Sequence, residues 1–242
     1  MTTVIFKREF CSFFATPVAY VFIFMFLMLS GVFTFYLGNF YERGQSDLQP
    51  FFNFLPWLYL FLVPAIAMKS WAEERKSGTI ELLITLPISC WQAVLGKFFA
   101  TWAILGLSLI LTFPLWVTVN YLGQPDNGSI LAAYIGSWLM AGAFLAIGNC
   151  MSALSKNQVV AFILTVVVCF AFVLSGTTMV LSSLKGYVPA IVLDTVASFS
   201  FLSHFEAISK GVLSLKDIMY FVLVIFIWLF ACHILVEQKK AD

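Results

Sequence analysis

The densest group of titratable side chains in this chain lies in WAEERKSGTIELLITLP, residues 71–87. Glu73, Glu74, Arg75, Lys76 and Glu81 fall within eleven residues, between long apolar flanks. Lys69 and Glu73 are four apart, and Glu73 and Lys76 three apart, so these charges can pair along a helix face. Gly78 breaks that helix. Thr79 can cap a second one, with Glu81 in its first turn, where a carboxylate suits the helix dipole. Ile80, Leu83, Ile84 and Pro87 form an apolar stripe at i, i+3, i+4 and i+7, and Pro87 ends it. The spacing predicts a short amphipathic helix flanked by charge. A helix lying on lipid favours Lys and Arg on its polar face. Three glutamates against Arg75 and Lys76 suit a protein partner better, so the chemistry expected here is docking.

Bond-making chemistry finds no comparable support. The sequence contains no HExxH, GxSxG or GxxxxGK[ST]. Gly96-Lys97-Phe98 matches only the end of a phosphate loop and lacks the hydroxyl that would hold magnesium, so the chain is not expected to hydrolyse ATP or to bind a cofactor. His204 and Glu206 are two apart and point to different faces of a helix, which rules out a local dyad. The five cysteines include no CxxC pair, and His204 and His233 are too far apart in sequence to suggest a ligand cluster. Packing is the expected role of all seven. A net charge of +1 without a basic arm gives no sign of nucleic-acid binding.

The elements that must position the docking segment are apolar. Hydrophobic residues make up 62% of the 242 and charged residues 10%, against about a quarter charged in soluble domains. The mean hydropathy is +0.98. One globular core could not hide that much apolar surface, so an all-α integral membrane protein is expected. Six stretches are long enough to span: about 17–39, 51–69, 98–121, 129–154, 158–183 and 217–236. Ser89 to Gln92 and Ser214 to Asp217 read as capping boxes for the third and sixth spans, and Pro17 suits the first turn of the first. The start, MTTVIFKREF, has the charges of a signal peptide. The uncharged run after it, from Phe10 to Tyr41, is too long for one, so it reads as a retained span behind a short amphipathic segment. No span has Asp, Glu, Lys or Arg at its middle, which argues against an ion-coupled transporter. Asn39, Asn53, Asn120 and Asn149 near span ends suit interfacial hydrogen bonds, and Gly142-Ala146 spacing permits close helix contact.

Six spans place both termini on one side. That side holds nine of the thirteen Lys and Arg residues, so it is predicted to be the cytoplasm, together with the 70–97 segment. On the other side, residues 184–216 are apolar but broken by Pro189, Asp194, His204, Glu206 and Gly211. Two short helices, about 188–197 and 201–210, dipping into the outer leaflet would satisfy their backbone.

The run EERKSGTIELLITLPIS, followed by VLGK at 94–97, resembles the signature of ABC-2 type permeases, the membrane subunits of ATP-binding cassette transporters. The resemblance extends over the whole chain. FLSHFEAISKGVLSLKD at 201–217 is similar to the branch containing gliding-motility and nitrous-oxide-reductase-maturation permeases. The resemblance implies a coupling helix made of Glu73, Glu74, Arg75, Gly78, Thr79, Glu81, Leu82, Leu83, Thr85 and Pro87, docked on a separate ATPase dimer that holds ATP and magnesium. It implies a pathway between the second and fifth spans of paired permeases, with Phe51, Phe52, Phe54, Trp57, Tyr59, Phe162, Phe170 and Phe172 as candidate lining. It further favours a second, different permease over a second copy of this chain, and implies an inner-membrane location and no large external domain. A membrane anchor using the ATPase mechanically, in a motility or envelope complex, is the alternative. Topology reporters fused at residues 78 and 242 should read as cytoplasmic and reporters at 45 and 188 as external; the opposite pattern would reverse the assigned orientation.

Overall fold

The computed structural model describes residues 2–78, 89–184 and 189–238, and all regular structure among them is helical. An amphipathic α1 (Thr2–Ala15) leads to α2 (Val18–Val32), which ends in a π-helical turn, Phe33–Leu37. Next come α3 (Gln49–Ala67), α4 (Lys69–Ser77), α5 (Cys90–Ile110), α6 (Phe113–Leu122) and α7 (Asn127–Leu154). The chain continues through α8 (Gln158–Leu174), α9 (Thr178–Leu184), α10 (Ala190–Ser198), α11 (Phe201–Ser209) and α12 (Leu215–Gln238). Ile5 of α1 lies on Gly96, and His233 of α12 stacks on Trp91. Both ends of the chain therefore meet the start of α5, at what is termed here the near end of the bundle.

Among the described residues, five helical runs are long and apolar enough to cross a membrane: Val18–Leu37, Gln49–Ser77, Cys90–Leu122, Asn127–Leu154 and Leu215–Gln238. The third starts well before the expected residue 98, because Ser89 caps it by accepting from the Gln92 backbone N–H at 3.4 Å. It breaks at Leu111–Thr112, where Pro114 opens α6. Pro17 precedes α2 as its N-cap and does not occupy its first turn. Only half of the Ser214–Asp217 box forms: the Ser214 hydroxyl accepts from the Asp217 N–H at 3.2 Å and donates to its carboxylate at 2.6 Å, while the Ser214 N–H donates to the Val212 carbonyl.

The expected continuous span 158–183 is not found. The apolar helix α8 stops at Leu174 and, at about 1.5 Å per residue, reaches about 25 Å of a core about 30 Å thick. Ser175 and Thr177 turn their hydroxyls back onto the Phe172 and Leu174 carbonyls. A Cβ on Gly176 would stand 2.3 Å from the Ser200 Oγ and 2.5 Å from the Ser203 Oγ. The helix thus yields to the close approach of α11. The α10–α11 pair, bent by 63°, occupies the far half of the bundle close to its expected bounds. Phe201, Phe205 and Ile208 of α11 are buried there.

Helices α3, α4, α5, α8, α11 and α12 all pack on α7, whereas α1 packs on α5 and α2 on α3 and α5. Its buried residues run almost unbroken from Met140 to Ala153. Three glycines set the approach distances. A Cβ on Gly136 would meet Ile208 of α11 at 2.6 Å; on Gly142, Trp102 of α5 at 2.9 Å and Ile225 of α12 at 3.0 Å; on Gly148, Ala67 of α3 at 2.5 Å. In lipid, helices associate through such packing because burying apolar surface gains nothing over the surrounding hydrocarbon. Gly148→Val should therefore lower the melting temperature in detergent by an amount equivalent to about 1–3 kcal/mol. Gly31→Ala in α2, with nothing within 4 Å of the new methyl, should leave it unchanged or slightly raised.

Candidate coupling surface

The charged segment is built into the near end of the bundle. Met68 separates α3 from α4, leaving the first N–H groups of α4 without helical partners. One hydroxyl on α7 satisfies that junction. Ser152 Oγ accepts from the N–H groups of Trp71 and Ala72, each at 3.0 Å, and donates to the Met68 carbonyl at 2.9 Å. Four residues after Trp71, Arg75 reaches the other exposed terminus. Its Nη1 donates to the Ala153 and Leu154 carbonyls at 2.9 and 3.0 Å, where cationic charge suits the C-terminal end of α7. Helix α4 is thereby fixed at both of its ends to the central helix.

A second tie runs through Lys97 of α5, whose side chain is only 5% exposed. Its Nζ lies 2.7 Å from Glu74 and 3.4 Å from Glu9 of α1, and 5.4 Å from the centre of the Trp71 ring. Arg8 closes on Glu9 at 2.6 Å. A buried ammonium needs such company, because removal from water is costly unless it is paired. Burial alone would raise the Glu9 carboxyl, but Lys97 and Arg8 outweigh it and hold the group below the ordinary glutamate range. Gly96 makes the approach possible, since a Cβ there would stand 2.7 Å from Ile5 Cγ2.

The sequence grouped Glu73, Glu74, Arg75 and Gly78 as one docking element; the structure separates them. Glu73 and Gly78 face outward, whereas Glu74 and Arg75 turn to Lys97 and α7. Gly78 adopts φ 73°, the left-handed conformation that ends α4. Thr79, Glu81, Leu82, Leu83, Thr85 and Pro87 lie outside the described residues. Sequence reasoning weighed Lys97 as the end of a phosphate loop, as part of the VLGK signature and as a charge that sets orientation, but gave it no ion-pair partner. The signal available was a lone lysine inside VLGKFFATW, where an apolar context calls for a partner.

The candidate pathway residues also divide. Phe51 and Phe52 pack against Tyr134 of α7, Tyr59 is buried, and Phe172 stacks on Phe201 inside the protomer. Trp57 of α3 and Phe170 of α8 are exposed, with Phe54 and Phe162 half-buried. At the far end, His204 is buried and both ring nitrogens face acceptors, Asp217 Oδ1 at 2.5 Å and the Ser198 carbonyl at 2.9 Å. Its ring stacks on Tyr220 with centroids 4.0 Å apart. Sequence spacing tested His204 only against Glu206, which pairs instead with Lys210. The true partner is thirteen residues away, on another helix, and the contact pins the α10–α11 hairpin to α12.

These features define a multi-pass, all-α membrane protein with a braced, charged segment between its second and third spans. A family model described as an ABC-2 family transporter protein matches residues 18–237, and the chain belongs to that family. It is thus a membrane permease component of an ABC-type transporter. No curated protein matches the chain.

Removing Lys97 leaves two carboxylates facing each other. Lys97→Met should cost about 3 kcal/mol in stability, with Lys97→Arg retaining part of it. The Glu9 contribution is present at pH values above the ordinary glutamate pKa, near 4.5, and is lost as pH falls through the lowered folded value. Melting curves taken between neutral pH and pH 3 should show a drop at the acid end that flattens in Lys97→Met. Equal slopes in both proteins would remove the ion cluster from the stability account.

Proposed function

We propose that this permease is driven by a separate nucleotide-binding subunit that grips the segment after Gly78. The observation that carries the reading is the double brace on α4, Ser152 with Arg75 on one side and Glu74 with Lys97 on the other. A push on that segment cannot be absorbed locally. It passes through α4 into α3 and α7, and through Lys97 into α5 and α1, which converts closure of an ATPase dimer into rigid-body tilt of spans. In this reading Glu73, Glu81, Leu82 and Leu83 meet the ATPase, while Glu74 and Arg75 transmit the force.

The orientation that follows places the near end and both termini in the cytoplasm of a bacterial-type inner membrane, in accord with the lysine and arginine distribution. The exposed faces of α3 and α8, with Phe54, Trp57, Phe162 and Phe170, meet a second permease and line the route; Phe51 and Phe172 support them from inside the protomer. The resemblance of residues 201–217 to gliding-type permeases favours a second, different permease. The cycle performs export or related work on the membrane, with ATP and magnesium held by the partner subunit.

Gentle extraction of the tagged protein should bring down a nucleotide-binding subunit. Glu73→Lys and Glu81→Arg should weaken that capture without changing the melting temperature. Glu74→Lys should lower the melting temperature, because it sets two cations face to face. Undiminished capture by a Glu81→Arg, Leu83→Ala double variant would sink the docking assignment.

A further inference from the structure

On the outer flank of α1, α5 and α7 lies a laterally open groove of about 680 Å³, lined by Phe6, Phe10, Ala103, Gly106, Ile110 and Trp138. It runs on, through shared Phe6, Ala103 and Trp138, into a cleft of about 430 Å³ that reaches Thr2 and Thr3. Thr3 also borders a further recess, along α1, with Lys7 and Arg8 on its rim. We propose that this trough seats one anionic phospholipid of the near-side leaflet, acyl chain in the groove and phosphate at Thr3 and Lys7.

The walls are constructed for a hydrocarbon. Trp102 and Trp138 stack with centroids 4.1 Å apart, and each indole N–H points to the backbone carbonyl of the other, at 2.9 and 3.5 Å. Two large rings therefore line the trough with their polar atoms already satisfied. Ala103 and Gly106 keep the floor low, and a Cβ on Gly106 would stand 2.9 Å from Trp138 Nε1. From Phe99 to Ile110 the trough follows twelve residues of α5, eleven helical rises or about 16 Å, which is half of an apolar core about 30 Å thick. One leaflet's acyl chain has that reach.

The polar end selects the headgroup. Arg8 is engaged by Glu9, whereas Lys7 is exposed and forms no ion pair among the described residues. Threonine hydroxyls beside a lysine at the membrane surface suit a phosphodiester with net negative charge. A second copy of the chain is the poorer occupant, because this mouth would set Lys7 and Arg8 against apolar surface.

The full chain in nanodiscs is irradiated with phosphatidylglycerol carrying a diazirine at the acyl terminus, and in parallel with the same probe on phosphatidylcholine. Adducts should concentrate on the Phe6–Phe10 and Ala103–Ile110 peptides and favour the anionic probe. Lys7→Gln should lower anionic labelling about fivefold and leave the phosphatidylcholine signal unchanged. Ala103→Phe, which fills the groove, should abolish the concentration in a protein of unchanged helicity. Uniform labelling over α2, α8 and the groove with both probes would overturn the proposal, as would protection of the groove by a crosslinked second copy.

Discussion

Three glycines in α7 stand six residues apart, and six residues turn an α-helix through about 240°. Gly136, Gly142 and Gly148 therefore look out on three faces spaced evenly round the helix. One receives α11, the next α5 and α12, and the last α3 and α8. Close approach to this one small-residue axis sets where α3, α5, α8, α11 and α12 stand, while α2 packs on α3 and α5. It also sets what those spans carry, since Ser152 and the last carbonyls of α7 lie only one turn past Gly148. The helix that organises the bundle is the helix that holds α4.

The near end shows how a charge cluster serves rigidity in a low-dielectric setting. Lys97 is tolerated inside the bundle because two carboxylates from different helices converge on it and an aromatic ring covers it. Neither glutamate shares an element with Lys97, so the pairing ties α1 to α5 and α5 to α4. Replacing such a cluster with apolar groups would forfeit that specific register of three helices, even where total stability was kept. The cluster lies directly behind the outward face of α4, so neighbouring residues separate an exposed carboxylate, Glu73, from one built into the bundle, Glu74.

The far end is less regular by necessity. With α8 ending early, the far half of the bundle is completed by two short helices whose free backbone ends must find partners inside protein. His204 provides one by bonding the Ser198 carbonyl, and Asp217 holds the imidazole from α12. Tyr220 adds a bond to the Phe199 carbonyl. A hairpin attached through a few polar contacts to one span will follow that span when it moves.

Composition and hydropathy determined the membrane class and five of the six spans, because about twenty apolar residues can be accommodated in few other ways. Local chemistry determined the Ser89 and Ser214 caps, the stop at Gly78 and the bounds of the two short helices before α12, since each depends on residues within a turn of one another. The 73–97 motif carried the family. Tertiary structure alone decided the early end of α8, because the close packing of Gly176 on Ser200 and Ser203 is a contact across the chain. It alone decided that Glu74 faces Lys97 while Glu73 faces out, and that His204 answers to Asp217. Spacing along a helix gives the face of a residue relative to its neighbours in sequence. Which face meets another helix, and with what charge, is fixed only when the spans pack round α7.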